Sequence, residues 1–129
     1  MSKKKLFVAG ILFEAATGLA LIIDPGLVIR FLVGLDLSPG GMVLGRIAGT
    51  ALLSLCIACW PGKQVTHVGR TSAVLAMFTY NLIATVYLAY VWLGLGLVGL
   101  LLIPALVEHL FFSLFFAKIW FTKDAVSAK

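Results

Sequence analysis

The sequence predicts an all-α integral membrane protein: a four-helix bundle with a short interfacial helix between the first and second spans. Three observations predict it. Hydrophobic residues make up 62% of the 129 positions and charged residues 12%, more apolar surface than a soluble domain of this size can hide. Four apolar stretches approach or exceed the roughly 20 residues that cross a bilayer as helix. Between them stand breakers such as Asp24-Pro25 and Pro61-Gly62, which end helices. Residues 1–129 therefore read as a single membrane domain.

The first span runs over about 6–23 and stops at Asp24-Pro25. It follows the basic start "MSKKK", but no small-residue cleavage site precedes the break, so it is expected to be a retained span. Asp24 can cap a helix whose first residue is Pro25. The piece over about 25–35 is too short to span. It carries Leu27, Val28, Phe31 and Leu32 at helical spacing, with Arg30 among them, the pattern of a helix lying in the interface. Gly34 and the run Ser38-Pro39-Gly40-Gly41 turn the chain back into the bilayer. The second span covers about 41–60, the third about 71–92, and the fourth about 97–121 with Pro104 inside it. A proline there frees the carbonyl of Leu100 and predicts a kink.

Charge placement predicts the orientation. With four spans, Lys3, Lys4, Lys5, Lys63, Arg70, Lys118, Lys123 and Lys129 fall on one side and Arg30 on the other. The positive-inside rule puts both termini in the cytoplasm. Trp60, Trp92, Trp120 and Tyr90 lie near span ends, as an aromatic belt requires. The net charge of +5 is accounted for by these anchors, so no nucleic-acid partner is expected.

Polar groups recur at similar depth. Glu14 lies near the middle of the first span, Asn81 beside Tyr80 near the middle of the third, and His109 beside Glu108 near the middle of the fourth. Arg46 lies about two turns into the second, with a side chain long enough to reach inward. An unpaired charge near the bilayer centre costs about 2.5–3.5 kcal/mol on insertion scales, so these groups should face the bundle interior and pair. Gly10 and Gly18 flank Glu14 on its own face, while Gly41, Gly45 and Gly49 form a small-residue ridge. The reading predicts a Glu14–Arg46 pair, hydrogen-bonded by Thr17, Thr50 or Asn81. Such a pair can simply set helix register, or the layer Glu14, Arg46, Tyr80, Asn81, Glu108 and His109 can line a pocket or a proton path.

Other chemistries find less support. A two-histidine haem needs a second membrane histidine, and His67 is expected in the cytoplasmic loop. No metal site is expected, because Glu108 and His109 are adjacent and point about 100° apart on a helix. Cys56-x-x-Cys59 lies inside an apolar span, without the βαβ setting or accessible thiolate of a redox motif. The run "GLGLVG" at 94–99 matches a dinucleotide fingerprint but follows an apolar helix, so an outer turn is expected. Ser54 and Ser113 show no base partner.

Glu14 with Gly18, Asp24-Pro25, "GRIAG" at 45–49, "ACW" at 58–60, "YNLIATVYLAY" at 80–90 and "PALVEH" at 104–109 together resemble small bacterial inner-membrane proteins of the DoxX-like kind. The resemblance implies a four-helix bundle, and some members of that group are linked to quinone-coupled sulfur oxidation. The primary expectation is non-enzymatic: an accessory or scaffold subunit of a membrane complex or a homo-oligomer, its glycine ridge serving a partner. The alternatives are a binding or redox-associated protein for a lipophilic molecule such as a quinone, and a small proton- or ion-coupled transporter or channel. No resident cofactor is expected; a quinone is the class the second reading admits.

Overall fold

A computed structural model describes residues 2–62 and 71–122. Five helices form among these residues: α1 (Lys3–Ile23), α2 (Pro25–Val33), α3 (Pro39–Cys59), α4 (Ser72–Leu93) and α5 (Leu102–Phe121). All but α2 have 20–22 residues and are long and apolar enough to cross a membrane. Lys63, Arg70, Lys123, Lys129 and His67 lie outside the described residues.

The helix starts follow local chemistry. Ser2, Asp24, Ser38 and Thr71 each accept a hydrogen bond from the backbone N–H of the third residue of the following helix. These N–H groups have no partner within their own helix, so each cap satisfies one of them. Asp24 also ends α1, its N–H donating to Ala20 O, so one residue turns the chain from the first span into the interfacial helix. That helix ends at Gly34, whose φ of 77° is the left-handed cap conformation that glycine adopts freely.

The fourth span starts later than the sequence suggests, at Leu102 instead of about Leu97. Residues 94–101 form a turn pressed onto α2: Leu101 N donates to Phe31 O at 2.8 Å. A Cβ on Gly99 would overlap the Phe31 and Leu32 backbone. The same shift removes the expected kink. Pro104 sits in the first turn of α5, where an N–H has no helical acceptor to lose, and Leu100 belongs to the turn. The "GLGLVG" run is this turn, with Gly96 at φ 66°.

The spans pack chiefly as two pairs, α1 with α3 and α4 with α5. The first pair is closest at Gly18 and Gly49: a Cβ on Gly49 would stand 2.5 Å from Gly18 O, and one on Gly18 would stand 3.0 Å from Gly49 O. At the end holding Lys3–Lys5 and Lys118 the two pairs are joined by a buried apolar plug. Its members include Phe7 and Ile11 of α1, Cys56 and Cys59 of α3, Val74 and Met77 of α4, and Phe112 and Phe116 of α5. Gly10 makes room there for the Phe112 ring, whose nearest atom would be 3.0 Å from a Cβ. Cys56 and Cys59 are buried free thiols of this plug. Leu12, Ile57, Ile83 and Leu114 are exposed on the outside, as a surface solvated by lipid tails requires.

Substituting Gly49→Leu should lower stability by at least about 2 kcal/mol, because no rotamer can relieve an overlap with backbone. Gly40→Ala, with only the Ser38 hydroxyl within 4.0 Å, should change it by under about 0.5 kcal/mol. Equilibrium unfolding in mixed micelles measures both.

Candidate functional site

Directly beyond the plug, α1, α4 and α5 bring polar side chains to one level. Glu14 is 2% exposed and Asn81 0% exposed, so neither reaches the lipid surface. Both follow from helical periodicity: Glu14 continues the buried stripe Phe7, Gly10, Ile11, and Asn81 the stripe Val74, Met77.

His109 joins them. Its Nδ1 lies 3.0 Å from Asn81 Oδ1, 3.4 Å from Glu14 Oε1 and 3.6 Å from Glu108 Oε2. The Asn81 amide is oriented by its own helix: Nδ2 donates to Met77 O at 2.9 Å, which turns Oδ1 toward the imidazole. Three oxygens thus surround one ring nitrogen, which carries at most one hydrogen. Tyr80 packs edge-on against the ring, with centroids 5.7 Å apart. Glu14 Oε1 and Glu108 Oε1 are buried and have no hydrogen-bond partner among the described residues.

The expected Glu14–Arg46 pair does not form. Arg46 is exposed, and its Nε donates to Ile22 O at 3.3 Å. The antiparallel crossing at Gly18 and Gly49 explains this. Glu14 lies one turn to the plug side of the crossing, while Arg46 lies one turn to the other side, level with the end of α1. There the guanidinium meets a carbonyl in the last turn of α1, the negative end of the helix dipole. Thr17 and Thr50 do not serve Glu14 either; their hydroxyls donate to Phe13 O and Arg46 O within their own helices. Of the expected cross-links to the layer, Asn81 alone is placed to make one, and its partner is His109.

The glycine ridge also faces inward. Gly49 is used against α1, and a Cβ on Gly45 would stand 2.5 Å from Pro25 Cβ. Gly41 approaches Leu37. The ridge is therefore occupied within the chain.

Above the polar layer the two helix pairs part. The space between them is a cavity of about 790 Å³ with Tyr80, Glu108 and His109 at its polar end. Its walls are apolar: Phe13 and Leu21 from α1, Leu44, Gly45 and Ala48 from α3, Ala84, Tyr87 and Leu88 from α4, and Leu101 and Ala105 from α5. Val28, Ile29 and Leu32 of α2 complete it. Phe13, Leu44 and Tyr87 of its lining are well exposed, and the cavity is open to the outside of the bundle. Glu14 and Asn81 lie behind His109 and do not line it. Sequence reasoning missed the wall residues. A signal was present in Tyr80, Ala84, Tyr87 and Leu88, which share one face of α4.

The fold and site define a class: a polytopic α-helical bundle with membrane-length spans, a buried carboxylate–imidazole–amide cluster and a lateral apolar cavity. Comparison with family models, curated proteins and solved structures gives no match. The likeness to DoxX-like proteins thus rests on the short motifs quoted above.

Double-mutant cycles test the revised pairing. Glu14→Gln and Arg46→Gln should be additive within about 0.5 kcal/mol, as for sites without a shared partner. Glu14→Gln and His109→Gln should show a coupling energy above about 0.5 kcal/mol, as for groups in one polar network.

Proposed function

We propose that this protein binds a lipophilic molecule that has a compact hydrogen-bonding head and an apolar body, and does so from within the membrane. Quinones, phenols and long-chain alcohols belong to this class. The cavity carries the reading. Its volume of about 790 Å³ falls in the usual range for small-molecule sites. Its lining is mostly apolar; the Glu108 carboxyl and His109 imidazole lie together beside Tyr80, and Thr17 and Tyr87 add hydroxyls elsewhere on the wall. A head placed there meets the His109 ring and the Glu108 carboxyl, which can offer a donor or an acceptor according to protonation, and the Tyr80 hydroxyl, which can do either. The body lies along Leu21, Leu44, Ala84 and Leu88 and leaves sideways past Phe13 and Tyr87 into the bilayer.

We prefer this reading to the scaffold expectation for a physical reason. The glycine ridge argued for a partner helix, and Gly45 and Gly49 already hold Pro25 and α1. We further propose an inner-membrane orientation with Lys3, Lys4, Lys5 and Lys118 at the cytoplasmic face, supported by the excess of Lys and Arg at that end. The cavity then lies in the outer half of the bilayer.

Native mass spectrometry of the protein, extracted gently from its own membrane, tests the reading. The wild type should carry one small-molecule mass of quinone or lipid size. Ala105→Trp, which fills the cavity, should lose it. Leu114→Trp on the lipid-facing side should keep it, as Leu114 is 64% exposed and lies away from the cavity. A bare chain, or a stoichiometric partner chain with no small molecule, overturns the proposal.

A further inference from the structure

We infer that Glu14, Glu108, His109 and Asn81 form a binding site for one divalent transition-metal ion of the Zn²⁺, Mn²⁺ or Fe²⁺ class, set at the floor of the cavity. The first argument is geometric. From His109 Nδ1 the oxygens of Asn81, Glu14 and Glu108 lie at 3.0, 3.4 and 3.6 Å. Donors about 2.1 Å from a common ion stand about 3.0 Å apart in an octahedron and about 3.4 Å apart in a tetrahedron. One donor atom from each of Glu14, Glu108 and His109 lies within 4.8 Å of the others. The short sides of this cluster are already those of a coordination polyhedron.

The second argument is the unpartnered oxygens. Glu14 is 2% exposed, yet its Oε1 has no hydrogen-bond partner among the described residues, and Glu108 Oε1 is in the same condition. A buried carboxylate oxygen without a donor is costly, and more so in a bilayer. An ion accepting lone pairs from both would remove that cost. No protein donor does so in this arrangement: neither oxygen receives a hydrogen bond, one N–H of the Asn81 amide goes to Met77 O, and the His109 Nδ1 position can donate only once among three oxygens.

The third argument is charge. With both carboxyls ionised and the imidazole neutral the cluster carries −2, a charge that a divalent ion brings to zero. Arg46, the cation the sequence suggested for this role, is engaged at the end of α1. One imidazole nitrogen with carboxylate and amide oxygens suits a borderline divalent ion, not the soft ions that thiolates select. Adjacency of Glu108 and His109 had argued against a metal, yet a flexible glutamate brings its Oε2 within 3.6 Å of the neighbouring ring. The inference does not depend on what occupies the cavity.

The test uses the full chain in detergent, stripped with a chelator and titrated with Co²⁺, whose visible absorption reports its ligands. One saturable Co²⁺ per chain is expected, with bands of nitrogen and oxygen coordination, displaced by Zn²⁺. Glu14→Gln and Glu108→Gln each should weaken uptake by more than about tenfold, with helical content and elution unchanged. Glu108→Gln is the safer of the two for folding because Glu108 lies at the cavity edge. Cys56→Ser/Cys59→Ser should leave uptake and spectrum intact. Absence of saturable uptake overturns the inference. So does uptake unchanged in both glutamine variants, or a thiolate charge-transfer band lost with the two cysteines.

Discussion

The backbone contact between Gly18 and Gly49 organises the molecule. Where two helices touch without side chains between them, their axes approach closely and their registers are locked. That register decides the fate of both ionisable groups flanking the crossing. Glu14 is carried toward the plug and into contact with α4 and α5, while Arg46 is carried to the end of α1 and its open carbonyls. Neither outcome depends on the strength of attraction between the two charges. The geometry of the crossing sets their separation first, and each then takes the partner within reach.

The same crossing is the pivot of an asymmetric bundle. On one side of it the helix pairs are bridged by large side chains, Phe7, Phe112 and Phe116 above all, whose rings stack or meet edge to face. On the other side the facing residues include Ala48, Ala84 and Ala105, and the pairs part around a cavity. The polar layer lies at the boundary between the filled half and the open half. It is thereby screened from the lipid by the plug below and presented to the cavity above through His109 and Glu108. The short helix α2 follows from this division. A bundle that parts at one end needs a cover there, and α2 supplies apolar side chains to the cavity while its Phe31 carbonyl holds the α4–α5 turn.

Electrostatics in the layer is a problem of satisfaction more than of attraction. A bilayer offers buried oxygens no water, so each must find a donor, a proton or an ion. The cluster contains more acceptors than donors: one of the two Asn81 amide N–H groups is used on Met77, and Thr17 has turned to its own helix. This imbalance is the observation that favours a ligand for the layer over a pair that merely fixes helix register. A register-fixing pair would be expected to close on itself, with donors matched to acceptors.

Much of the architecture was legible in the residues alone. Span existence, the interfacial helix and the cap at Asp24 depend on local hydrophobicity and on a single side chain bonding backbone a few residues away, and such interactions are encoded contiguously. The inward facing of Glu14 and Asn81 followed from the cost of exposing them to lipid. Three features were decided by tertiary structure. The partner of Arg46 was set by the height at which α1 and α3 cross, which a ridge of glycines permits at several registers. The late start of α5 was set by docking of Gly99 and Leu101 on α2, a contact between segments far apart in sequence. The cavity was set by what the facing alanines and glycines fail to fill, and the absence of a side chain becomes a space only when the opposing helix is fixed in place.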